Sequence, residues 1–246
     1  TFKKIYMQKW ITKNGYEIHR VLKGRCNSFL VSSENLILLV DTGKASAYKK
    51  LMRNINSLNI PPYSNKILVL THTHFDHCQN AAKLSTLHGF RIWVGKAESN
   101  FLKNGYTPIP QGTNLFTKIL VAVAKRLLKA FLGYAQFDVD LEVTNNVLLT
   151  EYNVNIKIVA TPGHSAGSVS IIVDDEIALV GDALFGIFPN SIYPPFADDK
   201  KEMIKSWDKL LQTNCTLFMP AHGKPVSREL MQKEFKQYST KNDFQS

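Results

Sequence analysis

The chain has 246 residues, 44% of them hydrophobic, enough to bury a core without metals to hold it together, and its apolar residues run through almost the whole length, which excludes a disordered chain. Its 30 Lys and Arg against 20 Asp and Glu give a formal net charge of +10, but with no long basic run and no zinc-finger or RNA-recognition pattern, a solvated basic surface is expected and a nucleic-acid partner is not. The cysteines Cys26, Cys78 and Cys215 form no CxxC pair, which fits a reducing, cytoplasmic setting, and no apolar run is long enough to span a membrane.

The chain opens on Thr1 rather than Met, which leaves a removed leader open. Short apolar runs bounded by turn residues then follow. Ser28–Ser32 and Leu36–Val40, the second closing on Asp41-Thr42-Gly43, read as strands of a half-buried sheet. Residues 44–58 read as a helix, with Leu51, Ile55 and Leu58 at helical spacing. Residues 66–70 form a buried strand that runs straight into Thr71-His72-Thr73-His74-Phe75-Asp76-His77. Residues 79–88 read as helical and 91–94 as another strand.

The segment 115–134 is apolar nearly all round, with Lys118, Lys125 and Lys129 on one narrow stripe. It reads as a helix folded over the domain; a lid, a homodimer face or a membrane-surface contact is the alternative. Strands are expected at Ile156–Ala160, Val169–Val173, 177–180 and 216–219. Residues 200–212 carry Met203, Ile204, Trp207, Leu210 and Leu211 on one helical face. This order suggests two sheets packed face to face with helices outside.

The chemistry concentrates after the buried strand. His72, His74, Asp76 and His77 fall within six residues. Alternation puts His72 and His74 on one side if the chain stays extended, and a turn then brings Asp76 and His77 round. Imidazole and carboxylate are the ligands that zinc-like metals prefer, and such a cluster is expensive to leave unpaired in an apolar neighbourhood. His164, Asp182 and His222 each follow a predicted strand, where functional groups collect at a sheet edge. His19 and His88 fall outside this set and read as ordinary surface or helix residues. Thr71 and Ser165 read equally as supports for ligands or as turn residues, and Cys78 as a small buried hydrophobe.

HTHFDH resembles the HxHxDH signature of the metallo-β-lactamase superfamily, and the flanking pieces agree in order: Asp41 at a strand end, TPGHSAGS at 161–168, GD at 181–182 and the late His222. The resemblance implies an α/β fold, an αββα four-layer sandwich, as a single domain over 1–246 with a helical insertion around 95–140. It implies a first metal held by His72, His74 and His164, a second held by Asp76, His77 and His222, and Asp182 bridging both. Asp41 would orient a ligand imidazole, or simply turn the chain with Gly43. The ions expected are two divalent metals, zinc first, with iron or manganese as alternatives.

Two such ions sharing a water lower its pKa enough to supply hydroxide near neutral pH. The expected activity is therefore hydrolysis of an ester, thioester, lactone or amide in a small-molecule substrate, with Asp76 and Asp182 as the catalytic carboxylates. Glyoxalase II relatives carry a helical domain after the last histidine, whereas 24 residues follow His222 here. Some lactone hydrolases place a Tyr where Phe185 stands. The alternatives are a mononuclear iron persulfide dioxygenase, from which GDALFGIFPN departs after its fourth residue, and a non-catalytic adaptor at a membrane surface. Substrate contacts are expected from Phe185, Phe188, Tyr193, Phe196 and the 95–140 insertion.

Overall fold

Alternation along the strands sets the layers. In the strand Leu36–Val40, the side chains of Leu36, Leu38 and Val40 enter one core while Ile37 and Leu39 enter another. The next strand repeats the pattern, with Ile67 and Val69 on one side and Leu68 and Leu70 on the other. A sheet buried on both faces must be covered on both. The computed structural model, which describes residues 7–58, 60, 65–127 and 132–242, shows what covers it.

The first sheet runs in sequence order through β1 (Lys9–Ile11), β2 (Glu17–Leu22), β3 (Ser28–Ser32), β4 (Leu36–Val40), β5 (Asn65–Leu70), β6 (Arg91–Gly95) and β7 (Leu141–Val143). It is antiparallel as far as β4 and parallel from there to β7. The second comprises β8 (Val147–Leu148), β9 (Ile156–Ala160), β10 (Val169–Val173), β11 (Ile177–Gly181), β12 (Leu217–Pro220) and β13 (Val226–Ser227), with only β11 and β12 parallel.

One core lies between the sheets, where Phe29, Val31, Leu38 and Ile67 meet Ile156, Ile158, Ile171 and Leu179. A second packs the outer face of the first sheet against α1 (Tyr48–Asn56), α3 (Ala81–His88) and α4 (Ser99–Asn104). The third packs the second sheet against α6 (Lys200–Leu211) and α7 (Arg228–Asn242) through Ala178, Val180, Phe218, Met203, Trp207 and Met231. These are the four layers of an αββα sandwich.

Several expectations are corrected. The strands at 28–32 and 36–40 are buried almost throughout rather than half-buried, because helices cover the outer face. The helix expected over 44–58 is a 3-10 turn at Ala45–Ala47 followed by α1, and Leu58 lies beyond its end. The helix expected over 79–88 is preceded by a separate turn, α2 (Phe75–Cys78), and starts at Ala81. His19 is neither a surface nor a helix residue: it is buried in β2, where its Nε2 lies 2.9 Å from Glu17 Oε2. In the 115–134 segment α5 (Leu115–Leu127) is helical, and residues 128–131 lie outside the described residues. Among the described residues no helix is long and apolar enough to cross a membrane.

A polar tie joins the two sheets at Asp174, which sits at φ 59 between β10 and β11. Its carboxylate accepts from Asn14 N at 3.0 Å, Asn14 Nδ2 at 2.6 Å and Asn155 Nδ2 at 3.3 Å. Burial alone would raise its pKa, but the Asn14 donors, with Thr12 and Asn155, outweigh burial and hold it below 3.8. A carboxylate with a depressed folded pKa contributes stability above its unfolded pKa and loses it as pH falls through the folded value. Asp174→Asn, which tolerates the left-handed backbone, is expected to cost about 1–2 kcal/mol at neutral pH. In urea melts that deficit should shrink on acidification below pH 3.8; a pH-independent difference would contradict the assignment.

Candidate metal centre

The chain leaves β5 extended and then turns sharply. His74, at φ −62 and ψ 148, is the last extended residue before α2. Extension from Thr71 to His74 places the His72 and His74 rings edge to face, 4.6 Å apart, and the turn of α2 brings His77 to 3.9 Å from the His72 ring. The loop after β9 delivers His164, whose ring lies 4.7 Å from that of His72 and 5.0 Å from that of His74. The end of β12 delivers His222, 5.4 Å from His77.

Asp182 follows Gly181 at the end of β11. Gly181 has φ 52, and a Cβ there would meet Thr71 Oγ1 at 2.5 Å, so only glycine lets β11 approach β5 closely enough to aim the carboxylate inward. Asp182 Oδ2 lies 3.5 Å from His164 Nε2 and 3.2 Å from His222 Nε2, while Oδ1 lies 3.5 Å from His77 Nε2. The sheet ends are locked by backbone bonds from Val169 N to Thr71 O at 2.8 Å and from Ala221 N to Gly181 O at 2.8 Å.

All seven sequence-predicted residues therefore converge: His72, His74 and His164 form one group of potential ligand atoms and Asp76, His77 and His222 another, the atoms of each lying within 4.8 Å of one another. Asp182 joins His72 and His77 in a group between them.

The hydrogen bonds behind the rings decide which nitrogens face the centre. Thr71 Oγ1 donates to Asp41 Oδ2 at 2.8 Å, so it accepts from His72 Nδ1 at 3.2 Å and leaves His72 Nε2 bare. His74 Nε2 donates to Pro108 O at 3.1 Å and His164 Nδ1 to Phe196 O at 2.9 Å. Their other nitrogens, His74 Nδ1 and His164 Nε2, face each other at 3.1 Å with both N–H groups already committed. His77 Nδ1 donates to Asp41 Oδ2 at 2.9 Å.

His72 Nε2, His77 Nε2 and Asp182 Oδ1 are buried without a hydrogen-bond partner among the described residues. Buried lone pairs aimed at one another are costly unless a cation lies among them, and this donor set suits a borderline divalent metal. The residues fit the metal the fold implies.

The electrostatics agree. Burial holds His74 and His164 at about 4 and pushes His72 well below its ordinary range, so these rings are neutral at pH 7, as metal ligation requires. Burial alone would raise Asp182, but His222, His77 and His164 outweigh it and keep the carboxylate ionised far below its ordinary range. Burial would lower His77, but the Asp182 and Asp41 carboxylates around it push it well up, so a proton and a metal compete for its Nε2.

Three supports were not evident in the sequence. Glu98, fully buried, accepts from Thr73 N at 3.1 Å, Thr73 Oγ1 at 2.6 Å and Gly167 N at 3.1 Å, so one carboxylate ties the His72–His74 segment to the loop that carries His164. Cys26 Sγ lies 3.7 Å from His77 Nδ1, and burial pushes its thiol up to about 12, which keeps it neutral. Asn27 Nδ2 donates to Pro220 O and Gly223 O, both at 3.1 Å, fixing the turn around His222. No sequence signal short of the fold marks these residues, because each acts across the chain.

Other expectations divide. Asp41 does both things considered for it: it contacts Thr71 and His77, and it turns the chain at φ 58. Ser165 is a turn residue bonded to Ser168 Oγ at 2.8 Å, and Cys78 is buried with its thiol donating to Thr73 O. Phe185 stacks on His222 at 4.6 Å, and Phe185 and Phe196 line the cleft over the centre. Phe188 and Tyr193 do not line it: Phe188 is exposed, and Tyr193 packs on Trp207 and Tyr238. The cleft measures about 900 Å³ and reaches His74, Asp76, His164, Asp182 and His222.

Comparison with known proteins gives the same placement. The model of the metallo-beta-lactamase superfamily matches residues 21–222. The chain is 24% identical over 222 residues to the metallo-beta-lactamase fold-containing protein ST1585 of Sulfurisphaera tokodaii, covering 88% of this chain and 80% of that one. It is 26% identical over 159 residues to the hydroxyacylglutathione hydrolase GloC of Haemophilus influenzae, covering 64% of this chain and 66% of that enzyme. Among solved structures, a Cronobacter sakazakii metallo-beta-lactamase with a HARLDQ motif shares the fold at a TM-score of 0.68 and 16% identity, over 97% of this chain and 93% of that one. With a family model spanning most of its length and the αββα layers in place, this chain belongs to the metallo-beta-lactamase superfamily.

Proposed function

We propose that the chain is a metal-dependent hydrolase whose two divalent ions, zinc first, are held by His72, His74 and His164 and by Asp76, His77 and His222, with Asp182 shared between them. The observation that carries this reading is the convergence of bare ring nitrogens and the Asp182 carboxylate on the floor of one cleft, their outer hydrogen bonds already satisfied. The superfamily includes hydrolases such as the one matched above, which supports the reaction type.

When bound, such ions supply Lewis acidity toward a carbonyl and an acidified water as nucleophile. The chain's own contribution is orientation. Asp41 and Thr71 fix His77 and His72, and the carbonyls of Pro108 and Phe196 fix His74 and His164, so no ring turns during turnover. Asp76, whose Oδ2 lies 3.6 Å from Arg25 Nε, lines the cleft and is placed to orient the nucleophile and accept its proton. The apolar walls limit water around the reacting bond. An ester, thioester, lactone or amide is the substrate bond this arrangement suits.

Elemental analysis of protein purified without added metal, paired with turnover of small esters, thioesters and lactones, tests this. About two zinc per chain and turnover abolished by chelator and restored by zinc are expected. Turnover indifferent to chelator would overturn it. About one iron per chain with oxygen consumption on a persulfide would replace it by the dioxygenase reading.

A further inference from the structure

The cleft has two unlike linings, anchored at different ligands. Around His74 and His164 it is apolar. The segment 107–121 crosses there, bonded through Thr113 N to Pro195 O at 2.9 Å, and it presents Ile109, Leu120 and Val121 beside Phe196, while Phe185 and Ile187 continue the apolar wall next to His222 and Gly223. Leu120 is 49% and Ile187 53% exposed, so this wall leaves apolar surface uncovered inside a concave site. An occupant that covers it gains the hydrophobic contribution that the chain itself forgoes.

Around Asp76 and His222 the lining is basic. Arg25, Lys44 and Lys224 come from three separate segments to the same cleft. Lys44 lies 5.0 Å and Arg25 5.7 Å from the centroid of the Phe75 ring. Arg25 Nε lies 3.6 Å from Asp76 Oδ2, which leaves Lys44 and Lys224 as the cleft's two cations without a salt bridge among the described residues. Partial burial and the nearby Arg25 push the Lys44 ammonium down against the opposing pull of Asp76, and an incoming anion would offset both.

We propose that the substrate is an anionic amphiphile: an aliphatic acyl chain that lies along Ile109, Leu120 and Ile187, joined by the scissile bond to a negatively charged head beside Arg25, Lys44 and Lys224. This rests on the hydrolase reading for the fate of the bound molecule, not for its binding.

Binding is measured first on the full chain freed of metal, by calorimetric titration with ethane-, butane- and octane-1-sulfonate and with neutral 1-octanol, below micelle-forming concentrations. Octane-1-sulfonate is expected to bind at least about tenfold more tightly than ethane-1-sulfonate and more tightly than 1-octanol, the second difference fading with salt. Leu120→Ser/Ile187→Ser, at two half-exposed positions, should flatten the chain-length series while keeping the preference for charge. Lys44→Gln/Lys224→Gln should do the reverse. Equal affinity across chain lengths, or octanol binding as tightly as the sulfonate, overturns the proposal.

Turnover of 3-acyloxybenzoates from acetyl to dodecanoyl by zinc-loaded protein is the second arm. A kcat/KM that rises with chain length supports substrate class and reaction together. Chain- and charge-selective binding without turnover of any ester would retain the amphiphile site and reject the hydrolase.

Discussion

Zinc-loaded Asp182→Ala is expected to lose about 10³-fold or more in kcat/KM and to retain less than the full metal complement. Among the described residues, Asp182 is the only group whose two oxygens reach both halves of the centre, Oδ1 toward His77 and Oδ2 toward His164 and His222. Its removal leaves two sets of imidazoles with no negative charge between them, which weakens cation binding at both. The fold should survive, because the ends of β5, β10, β11 and β12 are joined by backbone bonds that do not involve this side chain. Far-UV circular dichroism and thermal melting of the metal-free variant check that point. Asp182→Asn separates charge from shape: near-alanine losses would show that the charge matters, and near-native activity would remove Asp182 from the shared position.

Glu98→Ala is expected to give the largest loss of stability, about 3–5 kcal/mol, and to weaken metal binding about 10–100-fold. The carboxylate is fully buried and is the acceptor for Thr73 N, Thr73 Oγ1 and Gly167 N. Removing it strands two backbone donors in the interior, one between His72 and His74 and one in the loop carrying His164. Gly167 is also packed hard there, since a Cβ on Gly95 would lie 1.9 Å from Gly167 O, so the loop has little freedom to find another acceptor. Glu98→Gln, which keeps an acceptor oxygen, should recover part of the stability and most of the affinity. The measurements are the denaturant midpoint of metal-free protein and zinc affinity by competition with a chelator, well below the melting temperature. A lowered midpoint with unchanged affinity would assign Glu98 to the fold alone and not to positioning the ligands.

The candidate metal ligands of the HTHFDH segment were legible in the sequence because their placement is local. An extended segment separates His72 and His74 by one residue and so puts them on one side, and a single helical turn brings Asp76 and His77 back toward them; both are stereochemical consequences of short spacing. His164, Asp182 and His222 were legible for a related reason, each following an apolar run that could only be a buried strand. The inner strands were read almost to the residue, since β4, β5, β9 and β10 are predominantly β-branched and aliphatic and are bounded by turns.

The edge strands were not. Glu17–Leu22, which lies next to the edge strand β1, carries Glu, His and Arg, and its burial depends on the pairing with β1 that sets Arg20 against Gln8 and the Trp10 ring. Tertiary structure alone decided which residues support the ligands and what the cleft favours. Glu98 sits on a short 3-10 turn 25 positions from Thr73, and Arg25, Lys44 and Lys224 share a lining only because three loops end at the same rim. The sequence by itself determined the candidate ligand set, since local backbone geometry orders neighbours in the chain. The support of those ligands and the character of the walls belong to the tertiary structure, because a buried carboxylate or an unpaired cation acquires its meaning from groups that only folding brings within a few ångströms.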